Sequence, residues 1–413
     1  MIQKFETPNG LRIVLEKIPT VRSVSIGIWI GTGSRFESTA VNGVSHFLEH
    51  MFFKGTEKRS AQEIAEAFDG IGGQVNAFTS KEYTCYYAKV LDDHAQIALD
   101  VLSDMFFNSR FEANELEKEK NVVLEEIKMY EDAPDDIVHD LLAQASFGSH
   151  SLGYPILGTQ QTLKSFSDKT LRDYMNDQYT AENVVISVAG NVDEDFIQQV
   201  ETIFRDVEKS KQNREYVTPA FLAEKLVRKK ETEQAHLCLG FNGLAIGHED
   251  IYSLVLLNNI LGGSMSSRLF QEVREKRGLA YSVFSYHSSY HDNGMLTVYS
   301  GTAPHQLDEL YETIMTTLDG IGKNGITEKE LTKGKEQLKG NLMLSLESTN
   351  SRMSRNGKNE LLLKNHRSLD QMIEEINSVS ITNVNRLSSD LFSKAYSVAL
   401  ISPDGKLPSS MKQ

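Results

Sequence analysis

One order of strand-like and helical periodicities runs through residues 1–206 and runs again through residues 226–413. A chain carrying two copies of one pattern is constrained to build two copies of one unit, because each copy must bury its own apolar faces. At 413 residues it also exceeds what one ordinary core holds and suits two domains of roughly 200 residues each. In the first copy, period-two alternation marks Leu11 to Lys17 and Val24 to Ile30, where Val24, Ile26, Ile28 and Ile30 share a face. Helical spacing follows at 43–54 and 60–69, strands at Gln74 to Phe78 and Tyr83 to Val90, and long helices at 93–107 and 112–131. Further helices reach residue 178, and a strand at Val184 to Ala189 and a helix at Glu194 to Ile203 close the copy. The second copy places strands at 226–231, 236–241, 280–287 and 294–300 and helices at 249–261, 266–276, 304–322 and 327–347, then a final helix and a strand ending near Ile401. The predicted fold class is α+β: two similar domains related by internal duplication, each a mainly antiparallel sheet packed with helices. Boundaries fall at 1–206 and 226–413, with 207–225 as a linker, where the polar run Lys209 to Arg214 and Pro219 break the periodicity.

Within the helical pattern Val44 to Phe53 stands His46-Phe47-Leu48-Glu49-His50. On a helix, positions i, i+3 and i+4 lie on one face, so both imidazoles and the carboxylate point the same way. Two such histidines form half of a zinc site, and a catalytic zinc needs a third protein ligand and an open position for water. In the H-x-x-E-H arrangement the glutamate between the ligands serves as general base. The bland reading is a pair of ordinary helix histidines, so the third ligand decides. The helix at 112–131 offers Glu119, Glu125 and Glu126 among Leu116, Val122, Val123, Leu124 and Ile127. Glu119 and Glu126 are seven apart and share a face, but periodicity leaves the choice between Glu125 and Glu126 open.

Composition removes other classes of function. A formal net charge of -14 and the lack of a basic stripe argue against nucleic acid as a partner and favour basic peptides over acidic ones. No apolar run is long enough for a membrane span, and Met1 to Glu6 carries no secretory h-region, so a cytoplasmic protein without membrane partners is expected. Cys85 and Cys238 lie in separate strand-like runs and read as buried free thiols. Neither a phosphate-binding G-x-x-x-x-G-K-[ST] nor a G-x-S-x-G nucleophile motif occurs.

The runs Gly31-Thr32-Gly33-Ser34-Arg35-Phe36-Glu37, Gly43 to Met51 and Phe53-Lys54-Gly55-Thr56 closely resemble the pitrilysin family of metallopeptidases. The likeness is to its half-length branch, which includes the catalytic subunit of the mitochondrial processing peptidase and bacterial relatives. It extends over essentially the whole chain. The resemblance implies a zinc endopeptidase hydrolysing extended or unfolded peptides, with one zinc per chain on His46, His50 and Glu126, Glu49 as base and Glu119 supporting the ligands. Cobalt or manganese are the expected substitutes for zinc. It further implies an edge strand at Gly73 to Thr79, where Asn76 and Ala77 bind substrate by strand addition, and an Arg274 and Tyr281 pair that reaches the peptide and the oxyanion. The loop Ser151 to Gly158 also matches, with no chemistry to assign to it. The short stretch Leu261 to Arg268 stands where noncatalytic partner subunits carry a longer glycine-rich loop. In the second copy, Gly334 and Asn341 stand opposite Glu119 and Glu126, so one metal per chain follows. Longer relatives hold four such domains in one chain, which implies a homodimer whose sites are completed across protomers. The alternative is a catalytically silent, peptide-binding or scaffold member of the same family.

Overall fold

A computed structural model describes residues 2–210 and 216–412. Its backbone is built on two sheets. The first contains β1 (Ile2–Glu6), β2 (Arg12–Lys17), β3 (Ser23–Ile30), β4 (Gln74–Thr79), β5 (Thr84–Leu91) and β6 (Val184–Gly190), in the order β1-β2-β6-β3-β5-β4. The second contains β7 (Lys225–Lys229), β8 (Ala235–Asn242), β9 (Ala280–Ser289), β10 (Gly294–Thr302) and β11 (Ser397–Ser402), in the order β7-β11-β8-β10-β9. Each sheet has one parallel pair, β2 with β6 and β7 with β11, and the remaining pairs are antiparallel. The two sheets therefore repeat one topology strand for strand, apart from the extra edge strand β1. That α+β duplication is the fold class expected from the repeated periodicities.

Four helices matter most to the sheet faces and the site: α1 (Val44–Met51), α2 (Ala113–Asp132), α3 (Pro134–Phe147) and α4 (Thr349–Leu362). Val24, Ile26, Ile28 and Ile30 do share a face, in one core with Val44, Phe47, Leu48 and Met51 of α1 and Leu116, Val123 and Ile127 of α2. Alternation puts Ser25, Gly27 and Trp29 on the opposite face. That face is buried too, because α4 lies across β2, β3 and β6. Thr349 pairs its hydroxyl with Ser23 (3.2 Å) and Ser25 (3.0 Å), and Met353 packs on Trp29. Gly357 gives the Trp29 ring its room: a Cβ there would stand 2.3 Å from the indole nitrogen. In the second sheet α3 does the same work, with Val138 and Leu142 packed on Cys238, Met295, Tyr299, Ala399 and Ile401.

Compact units and chain order consequently diverge. One unit comprises residues up to Lys128, Tyr154–Tyr216 and Leu344–His366; the other comprises Met129–Gly153, Val217–Met343 and the remainder from Arg367. Sequence patterning assigns α3 and α4 to the half that encodes them, whereas each packs in the other unit. Three further differences appear. β1 was not expected, the last helical stretch is three helices (Thr349–Leu362, Leu369–Ser378 and Ile381–Phe392), and the helix expected over 266–276 is a π-helix at Phe270–Glu275. Of the expected linker, residues 211–215 lie outside the described residues.

Candidate metal centre

α1 begins without a side-chain cap of its own, at Gly43 in the left-handed region (φ +93). The cap comes from six residues upstream. The buried Glu37 carboxylate accepts hydrogen bonds from Gly43 N (2.7 Å), Ser45 N (2.9 Å) and Asn42 Nδ2 (2.9 Å), which satisfies donors that a helix start otherwise leaves orphaned. Its negative charge also sits at the positive end of the helix dipole. Burial pushes the Glu37 carboxyl up, and these hydrogen bonds act against that rise. Gly43 is required twice over, by its φ and because a Cβ would stand 2.7 Å from Gly158 Cα and Leu157 O. Leu157 and Gly158, which end the loop to which sequence assigned no chemistry, thus pack against the start of α1.

With Val44, Phe47, Leu48 and Met51 anchored in the core, His46, Glu49 and His50 emerge on the remaining face of α1. His46 Nε2 and His50 Nε2 are 3.2 Å apart, and Glu126 Oε2 of α2 lies 3.7 Å from the first and 3.6 Å from the second. Ligands about 2.0–2.1 Å from a tetrahedral zinc stand about 3.3 Å from one another, so the three atoms surround a space of the right size. Among the described residues this is the one group of three His, Cys, Asp or Glu side chains that could hold a metal ion. Glu125, the alternative left open by periodicity, points to solvent and pairs with Lys128 at 2.7 Å.

The electrostatics favour a cation. Burial, reinforced by His50, lowers His46 to about 3, leaving it a neutral imidazole fit for ligation. His46 Nδ1 is buried without a partner. For His50, burial acts downward, but the hydrogen bond to Glu119 and the charges of Glu126, Glu119 and Glu49 raise its pKa. Glu119 binds His50 Nδ1 at 2.8 Å and Lys54 Nζ at 2.6 Å. Burial pushes Glu119 up, yet His50 and Lys54 hold it below the usual range, as a carboxylate. A carboxylate on Nδ1 fixes the tautomer in which Nε2 presents its lone pair to the cluster. Three carboxylates, Glu49, Glu119 and Glu126, thus face one ammonium and two imidazoles. A divalent cation held there would answer the same negative field that raises His50.

Of the other residues singled out, Asn76 and Ala77 lie on β4, the open edge of the first sheet. Asn76 Oδ1 accepts from the Ala77 amide (2.8 Å), so that amide points away from β5, toward the unpaired side. Arg274 and Tyr281 belong to the second unit, where the guanidinium lies over the exposed Tyr281 ring (4.5 Å) and over Phe270 (4.8 Å). The first unit therefore gathers His46, Glu49, His50, Glu119 and Glu126, and the Arg274–Tyr281 pair is formed separately. Sequence reasoning missed Glu37, Lys54 and Thr79, whose hydroxyl donates to Glu49 Oε2 at 2.5 Å. Lys54 carried a signal, since it continues the i, i+4 series of His46 and His50; Thr79 shares the strand face of Ala77.

Residues 12–160 match the family described as insulinase (peptidase family M16), and residues 165–338 match the peptidase M16 inactive domain. The chain belongs to the M16 peptidase family. This agrees with the half-length pitrilysin-type resemblance read from the sequence. A Bacillus subtilis relative, "Uncharacterized zinc protease YmxG", is 66% identical over 409 residues, covering 99% of this M16 chain and 100% of the relative. An uncharacterized zinc protease of Streptomyces coelicolor is 42% identical, covering 97% and 90% of the two chains. The same fold occurs in the crystal structure of a protease from Helicobacter pylori, with TM-score 0.90, 22% identity and coverage of 98% and 99%. No helix among the described residues of this M16 chain is long and apolar enough to cross a membrane, and Cys85 and Cys238 are free and buried.

Proposed function

We propose that this M16 chain is a zinc-dependent endopeptidase acting on extended or unfolded peptides, with one zinc held by His46, His50 and Glu126. The observation that carries the reading is the convergence of three ligand atoms within 4.8 Å of one another, beside Glu49, whose carboxylate is bound by Thr79. The family's zinc-protease relatives support the choice of metal. Bound zinc supplies Lewis acidity that polarises a carbonyl and brings the acidity of water near neutral pH. Glu49 takes the proton of the attacking water and passes it to the leaving amine. Burial raises the Glu49 pKa, opposed by Thr79 and His50, which suits a group that must both accept and return a proton. Glu119 orients His50.

An extended peptide would add to the open edge of β4, using main-chain groups of Ala77 and the amide of Asn76, so folded proteins should resist cleavage. Arg274 and Tyr281 would supply donors to the carbonyl oxygen. Net charge -14 supports a preference for basic peptides. The buried free thiols support a cytoplasmic location. By resemblance to the longer relatives, the active unit is a homodimer in which Arg274 and Tyr281 of one protomer complete the site of its partner. Activity regained on exchanging subunits of inactive Glu49→Gln and inactive Tyr281→Phe proteins is the expected result; no recovery despite verified exchange would rule the sharing out.

The experiment for the activity itself is incubation of metal-replete protein with a mixed peptide library, read by mass spectrometry. Zinc-dependent internal cleavage is expected. Peptide retention without any cleavage product would favour the catalytically silent alternative.

A further inference from the structure

Glu49 is held at one oxygen and open at the other. Oε2 accepts the Thr79 hydroxyl at 2.5 Å, and among the described residues Oε1 has no hydrogen-bond partner. Thr79 is the last residue of β4, and strand alternation puts it with Val75 and Ala77 on one face. Its place relative to α1 is fixed by the segment that leads into that helix. Ser34 N and Arg35 N donate to Ser80 O (3.3 Å) and Lys81 O (2.8 Å), and Arg35 forms a buried ion pair with Glu82 at 2.6 Å. Gly33 passes so close that a Cβ would stand 2.1 Å from Ser80 O. Thr84, the partner of Thr79 across the strand pair, donates to Thr32 O at 2.9 Å. The turn after β4 is thus tied to the loop before α1 on the backbone of several consecutive residues.

We infer that Thr79 is a positioning residue for Glu49: its hydroxyl fixes the carboxylate rotamer, leaves Oε1 as the proton-accepting atom, and couples the base to the strand on which substrate pairs. The inference rests on the endopeptidase reading given above. Two consequences separate it from simple satisfaction of a half-buried carboxylate. Loss of the hydroxyl must act on turnover rather than on substrate affinity, because substrate pairs with the backbone of β4 and not with this side chain. It must also free the carboxylate in space, since among the described residues no other hydrogen bond fixes it.

The test compares Thr79→Val, which keeps the shape without the hydroxyl, with Thr79→Ser, which keeps the hydroxyl. Thr79→Ala serves as a second deletion should valine disturb the strand. For the deletions kcat should fall about 10- to 100-fold with KM within about twofold, the size expected when a catalytic group is misplaced by about an ångström. Thr79→Ser should stay within about threefold of wild type, and zinc content should match wild type in all variants. Crystal structures supply a readout that does not depend on turnover: one Glu49 carboxylate position in wild type and Thr79→Ser, more than one in the deletions. Wild-type kcat in both deletions, equal loss in Thr79→Ser, or an unmoved Glu49 would each overturn the inference. If wild type cleaves nothing, the endopeptidase reading fails by itself, and the crystallographic arm still decides whether Thr79 holds Glu49.

Discussion

His50 and Glu119 share a hydrogen bond of 2.8 Å from Nδ1 to Oε1, and the second carboxylate oxygen is taken by Lys54 at 2.6 Å. Neither oxygen is left to bind a metal, which separates Glu119 from Glu126 although both lie on α2. Glu119→Gln should therefore still bind zinc, with affinity lowered about 10- to 100-fold, since an amide can present the wrong atom to Nδ1 and no longer favours the ligating tautomer. Competition with a chromogenic chelator measures this. Unchanged affinity would remove Glu119 from the site.

Glu126 and Glu125 provide a matched control one residue apart. Glu126→Gln should impair zinc loading, whereas Glu125→Gln should lose only an exposed pair with Lys128, which contributes about 0–1 kcal/mol. Metal content by plasma emission distinguishes them. The reverse pattern would mean that the wrong carboxylate has been assigned.

Glu37 concerns the helix rather than the metal. Glu37→Ala strips partners from two backbone amides and Asn42 at a buried helix start, and should cost about 2–4 kcal/mol of stability. Glu37→Gln, which keeps an acceptor oxygen, should cost less. Urea unfolding checks the order; an alanine variant as stable as wild type would show that the capping is dispensable.

Acid should loosen the seat of α4. Glu360 binds Lys4 (2.7 Å) and His366 (2.7 Å), with Arg12 at 3.8 Å. Burial pushes this carboxyl up, but the hydrogen bonds from His366 and Lys4 and the charges of Lys4 and Arg12 outweigh it and hold it at about 2, against 4.5 for an ordinary glutamate. The folded value is the lower one, so the unfolded chain binds more protons, and the stabilisation is complete above 4.5 and lost as pH falls from there toward 2. Of order 2 kcal/mol should disappear in that window, and Glu360→Gln should flatten the dependence. Urea titrations at neutral pH and at about pH 3 test this; parallel curves for the variant and wild type would contradict it.

How far such features can be read in advance depends on whether their cause is local. The face shared by Val24, Ile26, Ile28 and Ile30, and that shared by His46, Glu49 and His50, follow from period alone. The exchange of α3 and α4 between units does not. α4 seats on Ser23, Ser25 and Trp29 through Thr349, Met353 and Gly357, so it has hydroxyls and a glycine where an apolar stripe would have announced a buried helix. Glu126 and Glu125 differ by one step of helix rotation, and only the place of α1 beside α2 tells them apart. Thr79 meets Glu49 across 30 residues of sequence, a contact that alternation can orient but not pair.

A metal on His46, His50 and Glu126 served by Glu49 as base makes Glu49→Gln the decisive variant. That change keeps the shape of the side chain and removes the proton acceptor. The measurement is zinc content and peptide cleavage on the same preparation. Zinc at the wild-type level with cleavage abolished is expected; turnover near wild type would show that Glu49 is not the base.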